Sequence, residues 1–211
     1  MGDGLFGGVL DQRAPMDITP GAYFEEWLPS QVENFNELLE TFAGNISFTV
    51  SVRVTGEGGG EWTVRLADGK PEFTQGLDPE ALVTFIVSEE NFIQSVTGQL
   101  DDLRSQHRDP PSGVDLSPEA IQKRAKELIE ELKNLQGTLH ASVDDPERPL
   151  AVTVKFSGEM KNSPDCAIKI KKEDVKKMAS GELDPQMAFM AGKIQIEGDS
   201  SLLLQLIALM M

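Results

Sequence analysis

The chain has 211 residues, enough for one large domain or two small ones, and its 39% hydrophobic content supports a packed core and excludes wholesale disorder. Its 35 acidic against 19 basic side chains give a net charge of −16, which excludes general binding to nucleic acid, because phosphate neutralisation needs a basic surface. The single cysteine, Cys166, excludes an intramolecular disulfide framework and any multi-cysteine metal site, and fits a reducing, cytoplasmic compartment.

The first ten residues carry no Lys or Arg, which argues against a secretory signal. Position 6 is Phe6, where a myristoylation pattern starting at Gly2 needs Ser or Thr. Residues 1–29 are rich in Gly and Pro and hold a short apolar group, Tyr23, Phe24, Trp27 and Leu28. They read as an N-terminal arm that packs on a following unit.

A first unit is expected over 30–102. Ser30 and Glu33 make a capping box for a helix that ends near Gly44, with Val32, Phe35, Leu39 and Phe42 on one side. Strands follow at 45–54, 61–67 and 82–87, the first two joined by a hairpin at Gly58-Gly59-Gly60. No long crossover helix separates those two, so they should pair antiparallel. Residues 103–116, with Pro110-Pro111 and Ser112-Gly113, form a natural linker that also holds His107. A second unit is expected over 117–211. Ser117 and Pro118 start its helix, Ile121, Ala125, Leu128, Leu132 and Leu135 form its stripe, and Gly137 follows its end. Strands are predicted at 138–143, 150–157 and 166–171.

The two units resemble each other. Thr84–Asp102 aligns without a gap on Ala167–Pro185, so that Glu90, Gly98, Leu100 and Asp101 recur as Glu173, Gly181, Leu183 and Asp184. Trp62–Leu66 answers Val152–Phe156, and Gly44 to Ile46 with Val50 answers Gly137 to Leu139 with Val143. The repetition predicts a tandem duplication. Charge is nevertheless uneven: residues 1–110 hold 6 basic and 19 acidic side chains, residues 111–211 hold 13 and 16.

Only the second unit continues into Gly181–Leu209. Its Asp184-Pro185 turn, Ala188-Phe189 helix, Gly192-Lys193-Ile194-Gln195-Ile196 strand, Gly198-Asp199 turn and Leu202–Leu209 helix resemble the sterol carrier protein type-two family. That resemblance implies an α+β fold: a mainly antiparallel five-stranded sheet, here internally duplicated, with helices packed on one face. It also implies non-catalytic binding or transfer of a fatty acid, acyl-CoA, phospholipid or sterol in an apolar tunnel, with no cofactor. The first unit lacks the final helix and strand, so either the two units complete each other or the first is a degenerate copy.

An adaptable apolar lining is what such a ligand needs, and the methionine-rich tail offers one. Met178, Met187, Phe189, Met190, Ile194 and Ile196 are candidates ahead of the last helix; Leu203, Leu206, Ile207 and Met210 are candidates within it. The same residues could equally fill a core. The last helix is apolar around nearly its whole circumference apart from Gln205, so it must be covered, act as a lid, or meet a partner such as a second copy of the chain. Lys172, Lys176 and Lys193 are candidate headgroup contacts in a transient membrane encounter, against the plainer reading of a solvated mixed-charge face. His107 and His140 belong to no nucleophile or metal motif, and no phosphate loop or dinucleotide fingerprint occurs, so an enzyme is not expected. The alternative function is a protein-interaction scaffold of the same fold with a filled core and no ligand.

Overall fold

Alternating apolar and polar residues build eight strands, four from each half of the chain, in a computed structural model that describes residues 12–103, 115–158, 161 and 163–210. The first half supplies β1 (Phe48–Thr55), β2 (Gly60–Ala67), β3 (Lys70–Gln75) and β4 (Val83–Ser88). The second supplies β5 (Thr138–Asp144), β6 (Leu150–Lys155), β7 (Cys166–Lys171) and β8 (Ile194–Gly198). All eight join one sheet in the order β3-β2-β1-β4-β6-β5-β7-β8. The β1/β4 and β5/β7 pairs are parallel and the others antiparallel. This corrects the expected five-stranded sheets: there is one mixed sheet.

The physical reason lies at the centre. Among the described residues, neither half supplies a strand of its own to the outer edge of β4 or to that of β6. An unpaired edge is a template for wrong pairing. The two open edges satisfy each other, with Thr84 opposite Lys155, Phe85 opposite Val154, and Val87 opposite Val152. Asn91 reinforces the seam: its Nδ2 donates to the Pro149 carbonyl at 2.8 Å, and its Oδ1 accepts from the Ala151 N–H at 2.8 Å.

Each half contains the same strand triplet, an antiparallel hairpin whose first strand also pairs in parallel with a third. Val50 sits opposite Val64 and Val83, and Leu139 sits opposite Val154 and Cys166. The pairing therefore matches Val50 to Leu139 rather than to Val143. β3 was not anticipated, because Pro71 cannot donate to a ladder; its place at the sheet edge tolerates that.

The helices lie on the apolar side. Thr19 caps α1 (Pro20–Ala22), accepting from the Ala22 N–H at 3.2 Å, and the chain runs through a π-helical turn, Tyr23–Trp27, into α2 (Leu28–Glu33). The expected helix over 30–44 is thus two pieces: Ser30 lies inside α2, and a break at Phe35 separates it from α3 (Asn36–Ala43). The true start signal is the Thr19-Pro20 pair, a cap followed by proline in the first turn. Then come α4 (Glu89–Val96), capped by Ser88, and α5 (Pro118–Lys133), capped by Ser117. α6 (Lys172–Ser180) ends on Gly181 at φ 79°, matched in the first half by Gly98 at φ 82° after α4, a conformation that glycine adopts at little cost. α7 (Pro185–Met190) and α8 (Ser200–Met210) complete the chain.

Two clusters form the core. Phe24, Val54, Trp62 and Phe92 close the first half, so residues 12–29 of the arm pack on that half as its lid. Val83, Leu135, Leu139, Phe156, Cys166 and Leu202 close the second. His107, most of the linker and residues 1–11 lie outside the described residues.

Candidate functional site

The sequence-derived lining divides when placed in the fold. Ile196, Leu203 and Leu206 are half-buried against the second cluster, and Met178, Ile194 and Ile207 are half-buried on α6, β8 and α8. Met187, Phe189 and Met190 instead stand at the surface, with 59%, 42% and 80% of their area exposed. They do not line an interior. α7 is only six residues long and seats itself beside β8 through Ala188, which is fully buried, so its larger neighbours are left outside. Met210 lies in α8, but its side chain is outside the described set.

The better candidate lies on the helix side of the sheet, across the seam. Phe85 shares the apolar face with Val83 and Val87 and is registered between Val52 and Val154, yet 38% of it is exposed. Val50, Val52, Val87, Val152 and Val154 around it are only half-buried. The covering helices are equally unsatisfied. α5 carries a full apolar stripe, but none of its 16 residues is buried, and α3, which packs beside it, buries none either. Only Leu132 and the following Leu135 reach the second cluster. A cleft of about 280 Å³ opens at this junction, with Phe48, Leu66 and Leu82 from the first half meeting Ile129 of α5, and Arg65, Glu80 and Lys133 among the polar groups in its wall. Interior packing normally leaves few such unfilled apolar surfaces.

Residues 119–211 match the sequence profile of the SCP-2 sterol transfer family. This segment belongs to that family. Among solved structures, the sterol carrier protein domain 2 of Helicoverpa armigera is 30% identical over 43% of this chain and 76% of its own, with a TM-score of 0.29. Sterol carrier protein 2 like 2 of Aedes aegypti is 20% identical over 42% of this chain and 97% of its own, with a TM-score of 0.29. Sterol carrier protein 2 of Yarrowia lipolytica is 11% identical over 55% and 88%, again with a TM-score of 0.29. No curated protein matches.

In the SCP-2 segment, two of the three candidate headgroup lysines are held by internal carboxylates. Lys172 Nζ lies 2.6 Å from Asp145, a buried residue, and Lys193 pairs with Asp174, also buried. The hydrogen bond from Lys172 foremost, with the backbone N–H groups of Glu147 and Arg148, holds the Asp145 carboxyl below the usual carboxylate range. Lys176 stands exposed on α6. Asp144, Lys169, Lys171, Asp174, Lys193 and Gln195 line a polar cleft of about 260 Å³. Asp144, Lys169, Lys171 and Gln195 lie on the sheet face opposite the helices, so these charges do not cap the apolar layer.

Burial, and then the Asp199 carboxylate, push the Cys166 thiol up, which makes it a poor nucleophile. His140 Nδ1 lies 2.9 Å from Thr153 Oγ1 on the polar face, the place that the Ser51–Thr63 pair, at 2.8 Å, occupies in the first half. Among the described residues no group of three His, Cys, Asp or Glu side chains could hold a metal ion, and no helix is long and apolar enough to cross a membrane. Phe85, Phe48 and Leu66 escaped the sequence reading because it confined the site to the second half. The available signal was the apolar face that FTVSVRV and TFIV carry in the first half.

Proposed function

We propose that the chain is a non-catalytic carrier whose SCP-2 segment binds a fatty acid, acyl-CoA, phospholipid or sterol between the helices and the apolar sheet face. The observation that carries this reading is the cleft where Ile129 of α5 meets Phe48, Leu66 and Leu82, under an apolar helix stripe that has no buried residue. Burying apolar area is worth roughly 25 cal/mol per Å², so a stripe left open in the folded chain retains that free energy for a ligand. Each CH₂ moved from a bilayer into such a site gains about as much as it loses, near 0.8 kcal/mol, so loading and unloading are both accessible. The ligand site then spans both halves, and the paired strands β4 and β6 form its floor. In this reading the halves 30–102 and 117–211 are incomplete copies of one unit that finish each other, the residues between them serve as linker, and the arm closes the first.

Organic extraction of the purified chain followed by mass spectrometry should recover lipid, and a fluorescent fatty acid should bind the delipidated protein. Ile129→Trp and Phe48→Trp, which fill the cleft from the helix side and the sheet side, should lower that uptake at least tenfold while leaving the urea midpoint unchanged or raised. Full uptake by both folded variants would overturn the site. A protein that never carries lipid and ignores the probe would leave the scaffold reading, which the closed cluster around Leu139 and Cys166 favours.

A further inference from the structure

The acidic excess of the first half gathers along one furrow. Residues 14–52, which run from the arm through α3 into β1, hold six acidic side chains and no Lys or Arg. Between α2, α3 and the edge strand β3, two clefts of about 400 and 370 Å³ adjoin and share Pro29 and Phe73. Phe24 and Trp62 line the first, Val32 and Pro71 the second. Among the described residues of their walls, the acids are Glu25, Glu33 and Glu40 and the one base is Lys70. Gln75 and Trp62 donate to Glu25, but both donors are neutral, so they orient the carboxylate without cancelling its charge. Glu26 and Glu37 belong to the same stretch of chain, and none of these five acids has an ion-pair partner among the described residues. α5, which packs beside α3, carries four acids and four bases and so leaves the balance negative.

The backbone of β3 is available as well. The Gly76 N–H donates to the Glu61 carbonyl at 2.8 Å, so the alternation of an antiparallel pair turns the backbone groups of Phe73 and Gln75 away from β2, toward the sheet edge. We propose that this furrow docks a basic, extended segment of a partner protein, which lies alongside β3 with apolar side chains on Phe73 and Pro29 and Lys or Arg side chains against Glu25, Glu33 and Glu40. Main-chain bonds to an exposed strand supply affinity in such pairing, and the flanking side-chain pockets supply selection. The six residues of β3, at about 3.3 Å each, offer a partner about 20 Å of extended contact. Charge decides the occupant: a second copy meeting this face with its own would set acids against acids, and an anionic lipid would be repelled. The furrow shares no lining residue with the cleft at Ile129, so the proposal does not rest on the carrier reading.

The full-length protein is titrated into a fluorescein-labelled hexapeptide of alternating arginine and valine, with alternating glutamate and valine as the control, and followed by fluorescence anisotropy. Expected is saturable binding of the basic peptide alone, weakening as salt rises, with the amide resonances of Phe73 and Gln75 shifting on binding. Glu33→Lys/Glu40→Lys should weaken binding about tenfold or more. Glu57→Lys/Glu131→Lys, the same change of charge on exposed acids elsewhere, should weaken it about twofold at most. Phe73→Ser should weaken it about fivefold or more. Glu33 and Glu40 are exposed, so an unchanged thermal melt of their variant keeps the test independent of how well Phe73→Ser folds. Fatty-acid uptake should be the same in the Glu33/Glu40 variant as in the parent. Failure of the parent to bind the basic peptide overturns the proposal, as does binding that leaves the β3 resonances in place. An equal loss in the two charge variants also overturns it, because the attraction is then general to an acidic protein. So does displacement of the peptide by fatty acid, since the furrow then belongs to the ligand site, or a dimer dissolved by Phe73→Ser with no peptide binding, since it then joins two chains.

Discussion

The two halves cover equivalent strand triplets with different materials. Over β2, β1 and β4 the N-terminal arm lays stacked aromatic rings: Phe24 lies 4.9 Å from Trp62 and 5.4 Å from Phe92, and Tyr23 meets Phe92 edge-on at 5.2 Å. Glu25 fastens that lid, accepting from Gln75 at 2.8 Å and from Trp62 Nε1 at 3.1 Å, bonds that hold its carboxyl below the usual range. Over β6, β5 and β7 the cover is α8, which buries Leu202 but leaves Leu203, Leu206 and Leu209 half-buried and Leu204 55% exposed. Planar rings with hydrogen-bonded anchors give a closed, well-specified lid. Leucines on a helix held mainly at its ends, by Asp199 accepting from the Ser201 N–H at 2.8 Å and Arg124 donating to the Leu209 carbonyl at 3.1 Å, give a looser one. The difference teaches that the same strand arrangement can be sealed tightly or covered loosely, depending on what lies over it.

The comparison breaks most readily at its strongest contact. Phe24→Ala should cost about 3–5 kcal/mol in urea unfolding, the usual range for a buried phenylalanine. Leu206→Ala should cost less, about 1–2 kcal/mol, since its side chain is only partly buried from the start. Equal costs would mean that the second half is closed as tightly as the first. Next in size is the seam: Asn91→Ala should lose about 1–3 kcal/mol, because the Ala151 N–H and the Pro149 carbonyl lose their shared partner. An Asn91→Ala protein with two resolved unfolding transitions would show that the halves fold independently and that their strands merely touch.

The smallest effect is electrostatic and acts in the same direction on both halves. Asp145 has a folded pKa below its unfolded value, so its contribution is complete above about pH 4 and fades as pH falls through the lowered folded value. Asp145→Asn should therefore be less stable than the parent at neutral pH, with the gap narrowing in acid. A gap that stays constant through the acid range would remove the Lys172–Asp145 pair from the account. Glu25 lies on the same side of the sign, so acid should also loosen the aromatic lid.

Much of the architecture was legible in the residues. The strands at 61–67, 82–87 and 166–171, the Ser117-Pro118 start and the left-handed turn at Gly181 follow from alternation, capping and glycine chemistry, which act over a few neighbours. The SCP-2 segment was legible for the same reason: its turns and helix ends are local. The site was less so. Met187 and Met190 carry the composition of a lining, but whether a methionine faces in or out depends on which residue seats the helix, and here Ala188 takes that role.

The sequence by itself determined the elements, the apolar face of each strand and the membership of residues 119–211 in the SCP-2 family, because these depend on short-range periodicity and spacing. Tertiary structure decided that β4 and β6 join eight strands into one sheet, that Phe85 stays open at the seam, and that α7 faces outward. Those outcomes depend on which unsatisfied edge or surface finds which other, a matter of three-dimensional pairing between distant parts of the chain that no local pattern records.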